Sequence, residues 1–207
     1  MQVLLATENP GKLREFRGLF APTKHSLVSL SEFSVQQAEE TGQTFVENAL
    51  LKARNASEAT GLPCLADDSG LSVAALDGRP GIYSARYASY EDTFYEETSQ
   101  AADFSKDDLN NAKLLSEMAK LADRRAHFYC ALVLLRHATD PAPLIATGQW
   151  HGSIGTIPAG ENGFGYDPLF VDNKTGRTAA SLSADEKQAR SHRGLAWHVL
   201  APQLANL

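Results

Sequence analysis

Cysteine is nearly absent from this chain. There are two in 207 residues, Cys64 and Cys130, each inside an apolar run. That excludes a disulfide framework, and the pair lacks the spacing of a metal site. Both read as buried thiols in a reducing compartment. Positive charge is not in surplus either: the formal net charge is -6. That argues against a nucleic-acid groove or an anionic membrane surface as the main partner. It leaves room for a nucleotide, because local basic groups and a metal ion can hold one triphosphate on an acidic protein. No apolar run approaches the length of a membrane span. The apolar run at residues 1–6 is too short for a signal peptide, so the expected location is the cytoplasm. Repeats and low-complexity tracts are missing. What is present is a chain that is 43% hydrophobic, enough for one α/β domain over residues 1–207, with a core large enough for two lobes.

The most informative stretch is Ala66-Asp67-Asp68-Ser69-Gly70-Leu71. Two adjacent carboxylates follow an apolar run. Burying both requires a metal, a basic side chain or a proton. An acidic turn between strands is the plain reading of these residues; a magnesium-bound phosphate chain is the functional one. The apolar run at 62–66 reads as a buried strand with the two carboxylates at its C-terminal end, the end where open α/β sheets bind ligands.

The same geometry recurs earlier. Residues 3–6 read as a buried strand, and Thr7-Glu8-Asn9-Pro10-Gly11-Lys12 leads into a helix with Leu13, Phe16 and Phe20 on one face. Asn9 suits the N-cap and Pro10 the first helical position. A strand, a polar turn and a helix start present free amides to an anion. Lys12 opposes the helix dipole there; it is either solvated or paired with something anionic. Parallel neighbouring strands would bring this turn and the carboxylates to one side. Thr44-Phe45-Val46-Glu47 is a capping box opening a helix to Thr60, ended by Gly61-Leu62-Pro63. Asn48 and Lys52 share one face of it. Lys52 is a solvated lysine or a phosphate contact.

Further on, Asp77-Gly78-Arg79-Pro80-Gly81 is a turn. Residues 88–104 are polar, acidic and aromatic without a clear period and read as an exposed loop or short irregular helix. Ser105 and Asp108 cap a helix with a core stripe of Leu109, Leu114, Leu115, Met118 and Leu121. Two strands at 126–136 and 144–151 flank Thr139-Asp140-Pro141 as a hairpin. Glycines then crowd around Gly163-Phe164-Gly165-Tyr166-Asp167-Pro168. Phe164 either packs in a β-turn or presents its ring to a flat base. A third capping box, Ser183 to Glu186, starts a last helix running to about Leu200. Lys187, Arg190, His192 and Arg193 lie near its start, as a solvated basic face or as partners of an anion.

Taken in order, these segments resemble one family. Thr7-x-Asn9-x-x-Lys12, Glu40-Thr41-Gly42-x-Thr44-Phe45-x-Glu47-Asn48-Ala49, Ala66-Asp67-Asp68-Ser69-Gly70-Leu71, Pro80-Gly81-Ile82-Tyr83-Ser84-Ala85-Arg86-Tyr87, Gly163-Phe164-Gly165-Tyr166-Asp167-Pro168 and Ser191-His192-Arg193 occur together. The set resembles the inosine triphosphate pyrophosphatases, the RdgB-type dITP/XTP diphosphatases, over nearly the whole chain. The resemblance implies a two-lobed α/β fold. Its central mixed sheet is flanked by helices, the active site lies in the cleft between the lobes, and the assembly is commonly a homodimer. It implies Mg²⁺-dependent hydrolysis of ITP, dITP and XTP to the monophosphate and pyrophosphate, clearing aberrant purine nucleotides from the pool.

Residue by residue, the resemblance assigns Thr7, Glu8, Asn9, Pro10, Gly11 and Lys12 to the triphosphate-binding turn, with Lys52 as a further phosphate contact. Asp68 matches the catalytic carboxylate, which also helps hold the metal, and Glu40 the second metal ligand. Ser69 matches a substrate contact. Phe164, Gly165, Tyr166 and Asp167 match the base-binding segment, and Lys187, His192 and Arg193 the groups that read the base edge. The chemistry agrees with this. A 6-carbonyl accepts from these cations, whereas an adenine amino group cannot pair with them. Guanine shares the carbonyl, so its exclusion needs another contact.

Three positions depart from the family pattern. Ser181 stands where a glutamate is common, residues 88–104 are longer than usual, and Glu8 replaces a smaller residue and points away from the phosphate turn. Two competing readings are a Maf-type pyrophosphatase for modified pyrimidine nucleotides and a nucleotide-binding module without turnover. The 163–167 and 191–193 motifs argue against the first, and Asp68 with Lys12 and the Glu39-Glu40 pair against the second.

Overall fold

The computed structural model describes residues 1–90 and 104–204. Six strands form one mixed sheet in the order β2-β1-β3-β4-β5-β6. They are β1 (Gln2–Leu5), β2 (Ser26–Ser29), β3 (Cys64–Val73), β4 (Arg125–Leu135), β5 (Leu144–Ile154) and β6 (Phe170–Asp172). The chain divides into two compact units. The first holds Met1–Ser69, Cys130–Gln149 and Gln188–Leu207; the second holds Gly70–Tyr129 and Trp150–Lys187.

In the first unit, β1 runs parallel to both neighbours, with Leu4 opposite Val28 and Cys64. The expected parallel pairing of the two N-terminal strands is therefore present. Helix α1 (Pro10–Phe20) starts where Asn9 accepts from the amides of Gly11 and Lys12, and Pro10 occupies its first turn. Helix α2 (Phe45–Thr60) opens on the reciprocal Thr44–Glu47 box. It closes on Gly61, whose φ of 70° is the left-handed conformation that glycine adopts without a Cβ penalty.

Alternation along the strands sorts the core of this unit onto two faces. Leu65, Cys130, Leu132 and Leu134 pack with Phe16 and Phe20 of α1 and with Ala196, Trp197 and Leu200. Cys64, Ala66, Val133 and Leu135 pack with Ala49, Ala53 and Ala56 of α2. Each fully buried leucine here contributes about 2 kcal/mol of transfer free energy.

In the second unit, the short helix α3 (Tyr87–Tyr90) precedes α4 (Lys106–Met118). Leu114 and Met118 of α4 join Leu71, Val73, Phe128, Trp150 and Phe170 in one core, with Leu115 and Leu121 against it. The leucine/methionine stripe is core packing, as read. Strands β5 and β6 pair antiparallel with Ile154 opposite Phe170. Gly152 is required there: a Cβ would lie 2.3 Å from the Val171 carbonyl.

Two local readings need correction. Asp67 and Asp68 do not end a strand; they lie inside the ten-residue β3, which continues to Val73. The last helix is two helices, α5 (Ala184–Gln188) and α6 (His192–Leu204). The Ser183–Glu186 box forms, but it caps only the short one. Ser191 then takes the amide of Gly194 and restarts the backbone. Of the 88–104 stretch, residues 91–103 lie outside the described residues.

Candidate active site

Consecutive residues of a strand point to opposite faces, and β3 carries its two carboxylates through the sheet in that way. Leu65 faces the α1/α6 core and Ala66 the α2 core. By the same alternation Asp67 follows Leu65 and Asp68 follows Ala66. Their partners agree.

Asp67 is fully buried and saturated. Lys12 Nζ lies 2.5 Å from its Oδ1 and Arg193 Nε 3.0 Å from its Oδ2. Ser69 Oγ donates to Oδ1 at 2.9 Å and Cys130 Sγ donates to Oδ2 at 3.1 Å. Arg193 is itself buried. It also pairs with Glu15 Oε2 at 2.9 Å and donates to Ser69 Oγ at 2.6 Å. Burial pushes the Asp67 carboxyl up, but Arg193 and Lys12 outweigh it and hold the group well below the usual carboxylate range. Burial drives the Cys130 thiol far up, and the same carboxylate adds to it. Asp67 reads as a structural anion, held charged by Lys12 and Arg193.

Asp68 stands differently. Lys52 Nζ donates to its Oδ1 at 2.6 Å and to Glu40 Oε1 at 3.0 Å. No described residue donates to Asp68 Oδ2. Burial raises the Asp68 pKa, and the nearby Lys52 and Lys12 ammoniums only partly offset it. Burial would lower Lys52, yet Asp68 and Glu40 hold it above the ordinary lysine value. Neighbouring carboxylates driven in opposite directions are the arrangement from which acid–base sites are built. Glu40 and Asp68 also converge on a single cation position, filled by the Lys52 ammonium. Among the described residues, no cluster of three or more His, Cys, Asp or Glu side chains could hold a metal ion.

The N-terminal turn is closed on itself. The Gly11 and Lys12 amides donate to Asn9 Oδ1 at 2.8 and 3.1 Å, and the Asn9 amide to Thr7 Oγ1 at 3.2 Å. The anion beside Lys12 is Asp67. Glu8, Asn9 and Pro10 are exposed, and Gly11 is buried.

The glycine-rich segment belongs to the second unit. Gly163 and Gly165, at φ 82° and 63°, flank Phe164. Asp167 Oδ2 accepts the Phe164 amide at 2.9 Å and the Lys187 ammonium at 2.5 Å. Lys187 Nζ sits 5.0 Å from the Phe164 ring centroid, a cation–π geometry. Tyr166 points into the core and donates to the Ser84 carbonyl at 2.9 Å. Lys187 thus lies in the second unit, whereas His192 and Arg193, both buried, lie in the first. His192 opens α6, which approaches β5 closely: a Cβ on Gly148 would lie 2.2 Å from the His192 carbonyl.

Sequence reading missed Glu15, Cys130, Asp107 and Asn111. Glu15 carried one signal, standing one turn beyond Lys12 on the same helix face. The others make contacts across the fold that no local pattern announces.

The geometry is a mixed α/β sheet whose third strand carries two buried carboxylates, one on each face, paired with lysine and arginine. The Ham1 family model matches residues 3–203, and the chain belongs to the Ham1 family. It is 50% identical over 206 residues to a dITP/XTP pyrophosphatase of Burkholderia pseudomallei, covering 100% of this chain and 94% of that protein. It is 49% identical over 207 residues to one of Pectobacterium atrosepticum, covering 99% of this chain and 98% of that protein. A solved Ham1 protein from Coxiella burnetii superposes with a TM-score of 0.85 at 43% identity, each chain covered in full.

Proposed function

We propose that this chain is a nucleoside triphosphate pyrophosphatase that hydrolyses noncanonical purine nucleoside triphosphates, ITP, dITP and XTP, to the monophosphate and pyrophosphate. The observation that carries this reading is the pair Glu40 and Asp68 converging on one cation position, with an open Asp68 oxygen and a raised pKa. The family and its named relatives support the substrate class.

Asp68 takes the proton from a water attacking the α-phosphorus. The bond from that phosphorus to the bridging oxygen breaks and pyrophosphate leaves. The family resemblance supplies the phosphate contacts: Lys12, Lys52, the 7–11 turn and Ser69. For the base, Phe164 supplies a stacking face in the 164–167 turn and Lys187, 5.0 Å from that ring, a donor toward the 6-carbonyl; the resemblance alone adds His192 and Arg193.

The donor set suits Mg²⁺, a hard cation that takes one or two carboxylates and completes its shell with water and phosphate oxygens. Asp68 and Glu40 would hold it, with Lys52 moving onto phosphate. Such an ion, when bound, neutralises phosphate charge and acidifies its water. The family resemblance extends this proposal to a cytoplasmic homodimer.

A substrate panel tests this. Pyrophosphate released from ITP and XTP with Mg²⁺, and not from ATP, is expected. Orthophosphate in its place overturns attack at the α-phosphorus. Binding of ITP with no product overturns the enzyme reading.

A further inference from the structure

The peptide at Gly165 is gripped from outside its own turn. Its N–H donates to Asp107 Oδ2 at 2.6 Å, and its carbonyl accepts from Asn111 Nδ2 at 2.8 Å. Asp107 and Asn111 are four residues apart on α4, so one helix face holds both polar groups of one glycine. Asp107 is not spent on the helix. The cap of α4 is the reciprocal Ser105–Asp108 box. Gly165 sits at φ 63°, directly after Phe164, and the Phe164 amide is fixed on Asp167. The backbone is therefore pinned on both sides of the ring.

The grip has a cost. Among the described residues, nothing donates to the buried Asn111 Oδ1. Turning the amide over would free that oxygen from its place but lose the bond to the Gly165 carbonyl, so the observed orientation is set by the glycine. A buried acceptor left unsatisfied weakens a fold. A residue kept at that cost is explained by what it holds in place.

We infer that Asp107 and Asn111 are positioning residues that fix Phe164 for stacking on the purine base. This rests on the base-binding reading of Phe164 above. The two residues touch neither phosphate nor reacting water, so they act on base affinity and leave the chemical step alone.

The test uses the full-length protein and three variants: Asp107→Ala, Asp107→Asn and Asn111→Leu. Asp107→Ala and Asn111→Leu are expected to raise KM for ITP about tenfold with kcat within about twofold, the signature of lost uniform binding. IMP affinity should fall by a similar factor while inorganic pyrophosphate affinity holds. Asp107→Asn keeps an oxygen for the Gly165 amide and should restore most of the loss. Asn111→Leu removes the orphaned oxygen together with the donor to the Gly165 carbonyl, so KM should rise whichever way its Tm moves. A merely structural role predicts instead that activity falls only with the folded fraction while the folded variants keep wild-type KM and IMP affinity, and that result overturns the proposal, while the base-binding reading stands. Failure of the wild-type protein to bind IMP or turn over ITP sinks the base-binding reading itself, and the positioning role with it.

Discussion

Asp67 and Asp68 are chemically identical neighbours with opposite fates. Both are buried, but among the described residues one accepts from four donors while the other meets a single lysine and keeps an oxygen open. The difference comes from strand alternation alone. One residue of register sends Asp67 toward α1 and α6, which supply Lys12 and Arg193, and Asp68 toward α2, which supplies Lys52. A saturated carboxylate is a structural anion. A carboxylate with a raised pKa and one free oxygen is available for proton transfer.

Substitutions can break this contrast. Asp68→Asn should lose about a thousandfold in pyrophosphate release, within the range for a general base, with its denaturant midpoint nearly unchanged. Near-normal turnover would contradict the assignment. Asp67→Ala should instead cost about 3–5 kcal/mol of stability, because the buried Arg193 is left with Glu15 alone and Lys12 loses its carboxylate; chemical denaturation reads this directly. Glu15→Gln removes a partly exposed partner of Arg193 and should cost at most about 1 kcal/mol.

Acid titration separates the two carboxylates by sign. The folded-state pKa of Asp67 lies below the unfolded value of about 3.9, so its stabilisation is present above that value and lost as pH falls through the folded pKa. Asp68 is raised, so its ionisation weakens the fold as pH rises from the unfolded toward the folded pKa. In metal-free buffer, Asp67→Asn should flatten the acid limb of the stability curve. Asp68→Asn should leave that limb in place.

The smallest effect concerns the thiols. Burial pushes Cys64 up to about 12, and Cys130 is raised by burial and by Asp67. Neither should react with a thiol reagent at pH 8 in the native state, and both should titrate in denaturant. Reaction of the native protein would place Cys130 outside the Asp67 cluster.

Local chemistry was legible in the residues. Asn9, Thr44 and Ser105 cap the helices where their side chains predicted, because capping needs only three or four neighbouring residues. The acidic pair was misread as the end of a strand. Asp-Asp-Ser-Gly carries turn propensity, and the cations that let it sit inside β3 come from α1, α2 and α6. The last helix was read as continuous because nothing in its composition shows that a Cβ on Gly194 would lie 1.8 Å from the Gln188 carbonyl. The contacts that define the site span 63 residues for Cys130 and Asp67, 178 for Arg193 and Glu15, and 58 for Gly165 and Asp107. Only the fold brings such pairs together. The ordered motifs nevertheless pointed to the family, since each motif keeps its residue types even where its local geometry was mistaken.

The proposed division, Asp68 for the chemistry and Asp67 for the structure, is tested most directly by measuring ITP turnover, ITP binding and unfolding free energy side by side for Asp68→Asn and Asp67→Asn. Asp68→Asn should bind ITP, stay folded and release almost no pyrophosphate, while Asp67→Asn should lose stability first and turnover only in proportion to the folded fraction. A stable Asp67→Asn without activity, beside an active Asp68→Asn, would contradict it.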